Sequence, residues 1–212
     1  MLVLGFSWYL RRVQWYIGVD EAGRGALAGP VCVGAVLCPL AFDWREVFSL
    51  ITKRGKPKLR DSKHLSAQQR DILFEYIAAH ARLRHTSAFV EAEVIDAIGI
   101  ANAAREAAAV AVARLNVAPS RVSVLLDAGL WLSSEWTQES FIRGDETVPV
   151  IALASIVAKV VRDRHMETLA ADHTRYGFDQ HKGYGTLVHK RAIRKHGTLP
   201  LIHRKSFLTV SA

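Results

Sequence analysis

The 212-residue sequence predicts an α/β layer structure, in which helices cover the faces of a sheet. Short apolar runs rich in β-branched residues, such as 31–37, alternate with longer segments of helical composition, such as 91–115. No internal repeat, linker or low-complexity tract interrupts this alternation. The length favours one domain with a sizeable core.

The first half of the chain contains three strand candidates and one capped helix. Residues 15–19 and 31–37 are apolar, which is typical of buried strands. Ser66 can then begin a helix that runs to about His80, because its hydroxyl can accept a hydrogen bond from the first turn. Residues 83–90 are a third strand candidate. A helix thus separates the second strand candidate from the third.

The second half continues the alternation. The alanine-rich segment has high helix propensity, with a break expected near Gly99. Residues 122–126 form a β-branched run, and a further strand is expected to end near Arg143. Pro149 can open a long helix, since proline suits the first helical turn. A final helix is predicted to end at Gly197.

The ends of the chain and its cysteines suggest the domain limits and the compartment. Residues 1–14 are interpreted as an extension or edge segment before a single domain at 15–212, of which about 178–212 form a helical C-terminal segment. No run approaches the roughly 20 apolar residues of a membrane span, so no membrane contact is expected. Cys32 and Cys38 lack zinc-ligand and redox spacing, which favours buried thiols and a cytoplasmic location.

The positive charge is concentrated at one end of the sequence. The formal net charge is +8, and residues 156–212 contain 11 of the 28 Lys and Arg but only four of the 20 Asp and Glu. A basic segment fits a polyanionic partner, because neutralising phosphates releases condensed counterions. A basic protein without such a partner is the alternative that charge alone leaves open.

Four acidic residues occur where ligand sites are expected. Asp20 and Asp127 end apolar β-runs, and open α/β sheets bind ligands at such strand ends. Asp145 follows a further strand candidate. Glu21 is expected where the first strand breaks into a glycine turn, so that the pleat does not turn it away from Asp20. Taken singly, each acid is an ordinary turn cap or solvent-facing residue.

Taken together, the four carboxylates predict a metal site. Converging carboxylates repel one another and resist ionisation. Mg²⁺ relieves this repulsion and is typically held by few carboxylates together with water and phosphate. Two such ions ~4 Å apart can activate a water and stabilise a leaving oxygen in phosphodiester hydrolysis.

Two other site types fit the sequence poorly. The segment GRGALA at 23–28 formally matches a dinucleotide-binding fingerprint, but that fingerprint requires a helix to start there. Pro30 and the strand candidate that follows argue against such a helix. Two cysteines and scattered histidines do not form a closed zinc site. A nucleic-acid-binding module without catalytic activity remains an alternative to an enzyme.

A series of motifs occurs in a fixed order from about residue 15 to residue 207. They are VDEAGRG (19–25), AGPV (28–31), LRDSKHLS (59–66), Asp127 after a β-run, ALASIVAKVVRDRHM (152–166), YGFDQHKGYGT (176–186) and HRKSF (203–207). Together they resemble the ribonuclease HII family, or type 2 ribonuclease H. Each motif is moderately specific, and the ordered combination is very specific.

The resemblance implies a ribonuclease H-like fold, a mixed five-stranded sheet flanked by helices with a small helical C-terminal segment. It implies a metal-dependent endoribonuclease that hydrolyses the RNA strand of RNA–DNA hybrids and nicks 5′ to single ribonucleotides in duplex DNA. The products would have 3′-hydroxyl and 5′-phosphate ends. Two Mg²⁺ or Mn²⁺ ions per site and a monomeric enzyme are expected.

The resemblance also assigns roles to individual residues. The implied catalytic and metal-binding residues are Asp20, Glu21, Asp127 and Asp145. The implied substrate-binding residues are Gly23, Arg24, Gly25, Ser62, Lys63, Lys182 and Tyr184. The glycine motif would sense the ribonucleotide, because main-chain groups at glycine can approach a sugar closely. The tyrosine would pack on the deoxyribose after the junction, and the serine and the lysines would contact phosphates.

Some positions depart from the family pattern or leave their role open. Ala26 stands where proline is usual and Gly99 where asparagine is usual, but neither is an expected metal ligand. Asp163 is expected to form a surface ion pair with Lys159, four residues earlier on a predicted helix. A separate pair, Arg162 and His203, could contact phosphate or brace the C-terminal helices.

Overall fold

The computed structural model describes residues 13–51 and 65–208. The predictions for residues 1–12, Ser62 and Lys63 therefore lie outside the described residues. The described strands are β1 (Trp15–Ala22), β2 (Val31–Pro39), β3 (Arg84–Val90), β4 (Val122–Asp127) and β5 (Gln138–Phe141). They form one sheet in the order β3-β2-β1-β4-β5, which confirms the predicted mixed five-stranded sheet.

Strand direction decides which edge of the sheet the acids share. β2 lies antiparallel to both β1 and β3, whereas β4 lies parallel to both β1 and β5. In the parallel pair, Val19 of β1 is the register partner of Leu126 of β4. Each is followed at once by an acid, so Asp20 and Asp127 lie on neighbouring strands at the same edge of the sheet.

The helices largely follow the predictions. Ser66 forms a capping box with Gln69, Gly99 separates two helices, and Pro149 opens the longest one. The described helices are α1 (Trp44–Ile51), α2 (Ala67–Ala79), α3 (Ala92–Ile98), α4 (Ile100–Arg114), α5 (Gly144–Thr147), α6 (Pro149–Asp172), α7 (Phe178–His181), α8 (Leu187–His196) and α9 (Lys205–Leu208). Helices α1 and α5 were not predicted, because segments of four to eight residues are shorter than the stretch over which helical periodicity is recognised.

Helix α6 lies directly on the sheet because two strand residues have no side chain. A Cβ at Gly18 of β1 would overlap the carbonyl of Val150, and one at Gly34 of β2 would overlap the carbonyl of Ala154. The helix is accordingly buried over 150–158. Glycine at these positions brings the α6 backbone into contact with the sheet and fixes the distance between the two layers.

The opposite face of the sheet is covered mainly by α4. Its inward side is formed by alanines, which are small enough for the helix to pack closely on β2 and β3. The fully buried alanines of α4 are Ala103, Ala104, Ala107, Ala108 and Ala111. The sheet is therefore buried on both faces, and its strand-end edge is left to form a site.

The C-terminal segment forms a small hydrophobic core of its own beside α6. Phe178 and Met166 are fully buried in it. Arg162 of α6 is also fully buried and donates hydrogen bonds to the backbone oxygens of Pro30 (2.9 Å) and Lys182 (2.9 Å). His203 is buried as well. Arg162 and His203 therefore brace the C-terminal segment, and the alternative that they contact phosphate is wrong for both.

The Lys159–Asp163 ion pair is present, but it is not at the surface. Lys159 Nζ lies 2.7 Å from Asp163 Oδ1, and the two side chains are only 20% and 16% exposed. Both side chains line the groove that also contains Lys182, and the walls of this groove partly shield them from solvent.

Within the described residues, no helix has the length and apolar character needed to cross a membrane. The domain limits of 15–212 remain a prediction.

Candidate active site

Three carboxylates meet at the strand-end edge of the sheet. Ligand oxygens of Asp20, Glu21 and Asp127 lie within 4.8 Å of one another, close enough to hold one metal ion. Asp20 and Glu21 are near the end of β1, and Asp127 is the last residue of β4. Neighbouring parallel strands thus bring together acids separated by more than 100 residues in sequence.

The position of Glu21 differs from the expectation. β1 does not break at Glu21, because the strand stays paired with β2 as far as Ala22, with Glu21 opposite Val33. The Glu21 carboxylate nevertheless reaches the other two acids. The predicted convergence is correct, but the proposed reason, an early turn, is wrong.

Asp145 joins the site from a short helix rather than from a strand end. β5 ends at Phe141, and Asp145 lies in the first turn of α5. The backbone N–H of Gly144 donates a 2.8 Å hydrogen bond to Asp127 Oδ1. Asp127 therefore orients the helix that carries the fourth acid, which lines the same cleft.

The acids perturb one another electrostatically. The pKa of Asp20 is raised well above its usual value of 3.8, first by burial and then by the charges of Glu21 and Asp127, with a smaller effect from Asp145. A hydrogen bond from the Glu21 N–H to Asp20 Oδ1 (2.7 Å) acts in the opposite direction. A bound divalent cation would remove this repulsion, so the donor set fits a hard metal ion.

The glycine turn packs directly beside the acids. Gly23 has φ +87°, and a Cβ there would overlap the side chain of Arg162. Gly25 differs, because a Cβ at Gly25 would meet no atom within 4 Å and the residue is exposed. Gly23 is thus required for the turn itself, whereas Gly25 leaves space open towards the cleft.

Arg24 has a contact that the sequence did not reveal. Its Nη1 lies 3.1 Å from Glu21 Oε1 in an ion pair. Its guanidinium also lies over Gly129, where a Cβ would come within 3.0 Å of Nη1. Arg24 therefore links the glycine turn to the acid cluster and partly offsets the negative charge of Glu21.

Tyr184 lines the cleft with the acids, but Lys182 does not. Tyr184 is half-buried and its backbone bridges to Ala26 in the glycine turn. Lys182 instead lines an adjacent groove of about 490 Å³, where Nζ lies 2.9 Å from Glu167 Oε1. The backbone of Lys182 is left-handed (φ 52°).

The cleft has further polar residues that the sequence reasoning missed. It has a volume of about 630 Å³ and is also lined by Arg70, Ser155 and Lys159. Ser155 and Lys159 lie four residues apart on α6, and Lys159 Nζ is 5.6 Å from the centre of the Tyr184 ring. The i, i+4 spacing of two polar residues in the otherwise apolar first part of the helix (149–161) was the available signal.

Comparison with known proteins identifies the family. Residues 17–210 match the family model described as Ribonuclease HII. The chain belongs to the ribonuclease HII family. The ribonuclease HII of Shewanella halifaxensis is 42% identical over 195 residues, which cover 92% of this chain and 88% of that protein. The ribonuclease HII of Leuconostoc mesenteroides is 42% identical over 204 residues, covering 96% and 74%.

A solved structure agrees with this ribonuclease HII assignment. The structure of the PCNA:RNase HII complex from Archaeoglobus fulgidus contains a chain that is 25% identical, with a TM-score of 0.68. The match covers 90% of this chain and 94% of that one. The ribonuclease H-like fold predicted from the motifs is therefore confirmed.

Family membership decides between the functional alternatives. As a ribonuclease HII, the protein is a metal-dependent endoribonuclease, so the hypothesis of a binding module without activity is wrong. The dinucleotide-binding hypothesis is also wrong, because the element after the glycine turn is strand β2, and no described helix begins near Gly25. The roles of individual residues do not follow from the family name and are proposed below.

Proposed function

We propose that Asp20, Glu21, Asp127 and Asp145 are the metal-binding and catalytic residues of this ribonuclease HII. The observation that supports this most is the 4.8 Å grouping of ligand oxygens from Asp20, Glu21 and Asp127, with Asp145 lining the same cleft. The raised pKa of Asp20 is what such a site shows before a cation neutralises it. The four acids act as one unit, because the other three each raise the pKa of Asp20.

The donor set is suited to Mg²⁺ or Mn²⁺, and we propose two ions per site. All four proposed ligands are carboxylates, which hard divalent cations prefer to the sulfur and imidazole ligands of zinc sites. When bound, the ions would supply an activated water and charge stabilisation for the leaving 3′ oxygen. The protein's own part is to hold the carboxylates at fixed positions: Asp127 does this for α5 through Gly144.

We propose that the substrate is a duplex containing ribonucleotides, either an RNA–DNA hybrid or DNA with one ribonucleotide. The open space at Gly25 and the turn at Gly23 let main-chain groups approach a 2′-hydroxyl beside the acids. Tyr184, across the same cleft, can pack on the adjoining deoxyribose. Cleavage 5′ to the ribonucleotide would leave a 3′-hydroxyl and a 5′-phosphate.

The contacts outside the cleft extend the proposed substrate path. Lys182 lies in the groove next to the cleft, and the two share Arg70 and Lys159 in their linings. A duplex strand leaving the cleft would therefore pass these cations, and Lys182 is proposed to contact a more distant phosphate. Ser62 and Lys63 keep their proposed phosphate-contact roles.

We also propose a cytoplasmic, monomeric enzyme. Cys32 and Cys38 are both free and buried, and burial raises the pKa of each thiol to about 12. Thiols that are buried and protonated do not form disulfides, so these cysteines do not indicate an oxidising compartment. Light scattering of the purified protein would test the monomer.

The proposed function is tested with duplex DNA that contains one ribonucleotide. With Mg²⁺ or Mn²⁺ the protein should nick 5′ to the ribonucleotide and leave an end that a DNA polymerase can extend. Asp127→Asn should lower the rate at least ~100-fold, as for the loss of a group that stabilises transition-state charge. Glu139→Gln, an exposed acid on β5, is the matched control and should keep the activity.

Two outcomes would contradict this proposal. An intact substrate in the presence of both metals would exclude the ribonucleotide-nicking activity. Equal rates for Asp127→Asn and the unchanged protein would remove Asp127 from the catalytic group. A further control with EDTA should abolish cleavage by the unchanged protein.

A further inference from the structure

Three buried histidines lie directly behind the loop that carries Tyr184. His181, His189 and His203 are at most 8% exposed, and none of them lines the cleft. His181 and His189 stack with ring centres 4.3 Å apart and planes 15° apart. The Nε2 atoms of His189 and His203 are 3.2 Å apart. The cluster therefore links helix α8 to the segment before α9.

Backbone partners at both ends determine which nitrogens carry protons. The Leu199 N–H donates to His203 Nδ1 at 2.8 Å, so that nitrogen is an unprotonated acceptor. His203 Nε2 then carries the proton and donates to His189 Nε2. The other nitrogen of His189 faces the Tyr184 carbonyl at 3.0 Å, and a carbonyl can only accept. Hence His189 Nδ1 carries a proton.

The resulting chain of hydrogen bonds has one direction and ends on the tyrosine. It runs from the Leu199 N–H through His203 and His189 to the Tyr184 carbonyl, with both imidazoles neutral. An added proton on either ring would place two donors against each other. His181 is held similarly, since it accepts from the Gly183 N–H (3.2 Å) and donates to the Tyr176 carbonyl (2.7 Å).

The residue after His203, Arg204, holds the glycine turn, which is the other proposed substrate-binding element. Arg204 is fully buried and donates from Nε to the Gly29 carbonyl and from Nη1 to the Arg24 carbonyl, each at 3.0 Å. Two consecutive residues of the C-terminal segment therefore fix the tyrosine loop and the glycine turn. These contacts, on the side away from the cleft, therefore set the distance between the tyrosine loop and the glycine turn.

We propose that His189 is a positioning residue, kept by His203 in the tautomer that donates to the Tyr184 carbonyl, and that it holds Tyr184 at the position in the cleft that suits the nucleotide next to the ribonucleotide. The inference rests on the proposed contact between Tyr184 and that nucleotide. Ordinary core packing would require only apolar rings of similar size. A directional chain that ends on the backbone of a cleft residue restricts the main chain itself, which packing alone does not require.

Two variants of His189 separate positioning from packing. In His189→Asn the amide nitrogen can take the place of Nδ1 and still donate to the Tyr184 carbonyl, while contact with His203 is lost. In His189→Gln the longer amide can reach His203 but not that carbonyl. Both replacements are neutral and polar, so both should cost similar stability, measured by thermal unfolding.

The expected result is a split between KM and kcat. On duplex DNA with one ribonucleotide, His189→Gln should raise KM about five- to tenfold, as for one lost hydrogen bond, with little change in kcat. His189→Asn should stay within about twofold of the unchanged protein. In a Tyr184→Ala background, His189→Gln should have no further effect on KM. Leu187→Ala, a control on the same helix with a 73% exposed side chain, should change neither constant.

Specific results would overturn the proposal. Equal KM values for the Gln and Asn variants, or full additivity of His189→Gln with Tyr184→Ala, would reduce the histidines to core packing. Should His189→Gln fail to fold, a His189→Asn variant with raised KM would overturn it, and one with unchanged KM would support it. Failure of the unchanged protein to nick this substrate would instead refute the proposed function.

Discussion

Asp20 carries an electrostatic cost in the candidate active site. It is buried beside Glu21 and Asp127, and Arg24 of the same cleft forms an ion pair with Glu21. Its raised pKa means that ionising Asp20 opposes folding in the absence of a cation. Without a bound cation, the folded protein is therefore less stable than the packing of the site alone would suggest. This is a common property of sites arranged for binding.

Replacing this carboxylate should stabilise the metal-free protein. Asp20→Asn removes a buried charge and its repulsion, so we expect the Tm in EDTA to rise by about 2–4 °C per kcal/mol relieved. Addition of Mn²⁺ should raise the Tm of the unchanged protein and have much less effect on the variant.

The matched control for this prediction is Glu139→Gln, which removes an exposed acid. Thermal unfolding of the control should match the unchanged protein in EDTA and in Mn²⁺. A lower Tm for Asp20→Asn in EDTA would mean that hydrogen bonding by the carboxylate, and not repulsion, dominates at this position.

At the level of elements, helix α6 connects the sheet to the cleft and to the C-terminal segment. Its first turns rest on Gly18 and Gly34, its middle contributes Lys159 to the cleft, and Arg162 then contacts the glycine turn from behind. Met166, one turn further on, packs in the C-terminal core. A shift of this helix would therefore move several parts of the site at once.

The docking of α6 predicts a contrast between two glycines. Gly18→Ala places a Cβ against the Val150 carbonyl and should lower the free energy of unfolding by about 1–3 kcal/mol through overpacking. Gly25→Ala meets no atom within 4 Å and should leave the stability unchanged. Urea unfolding of both variants measures the difference. An unchanged free energy of unfolding for Gly18→Ala would show that α6 can move away from β1 without cost.

For the whole molecule, the buried histidines couple folding to pH. Burial lowers the pKa of His189 and of His203 to about 4, from the ordinary value of 6.5. His181 faces His189, and His181 and His173 face His203, and these neighbours act in the same direction. Between pH 6.5 and 4 the unfolded chain binds protons on His189 and His203 that the folded chain does not bind.

The stability of the protein should therefore decrease as the pH falls through this window. Each histidine contributes a slope of up to about 1.4 kcal/mol per pH unit to the free energy of unfolding. Asp20 contributes with the opposite sign, so the comparison is made with His189→Asn, which should lose one histidine's slope. Urea unfolding at several pH values from 7 to 4.5 measures both slopes. Parallel curves would exclude His189 as a contributor.

The sequence by itself determined most of the regular elements, apart from short helices such as α1 and α5, and it identified the acids as candidates. Ser66, Gly99 and Pro149 act through local backbone chemistry, so a helix start or break could be located from them. Asp20 and Asp127 were recognisable because each follows an apolar run. Local signals of this kind depend on neighbours within a few residues, and the sequence contains those neighbours in full.

Only the tertiary structure decided how distant groups pair. Arg162 binds a carbonyl 132 positions away and Arg204 one 175 positions away, and no spacing rule links such partners. The same holds for the Arg24 contact with Gly129, for Lys182 outside the cleft, and for the histidine chain behind Tyr184. Their positions depend on how α6 and the C-terminal segment pack against the sheet, because buried polar groups must find partners wherever the packed chain supplies them.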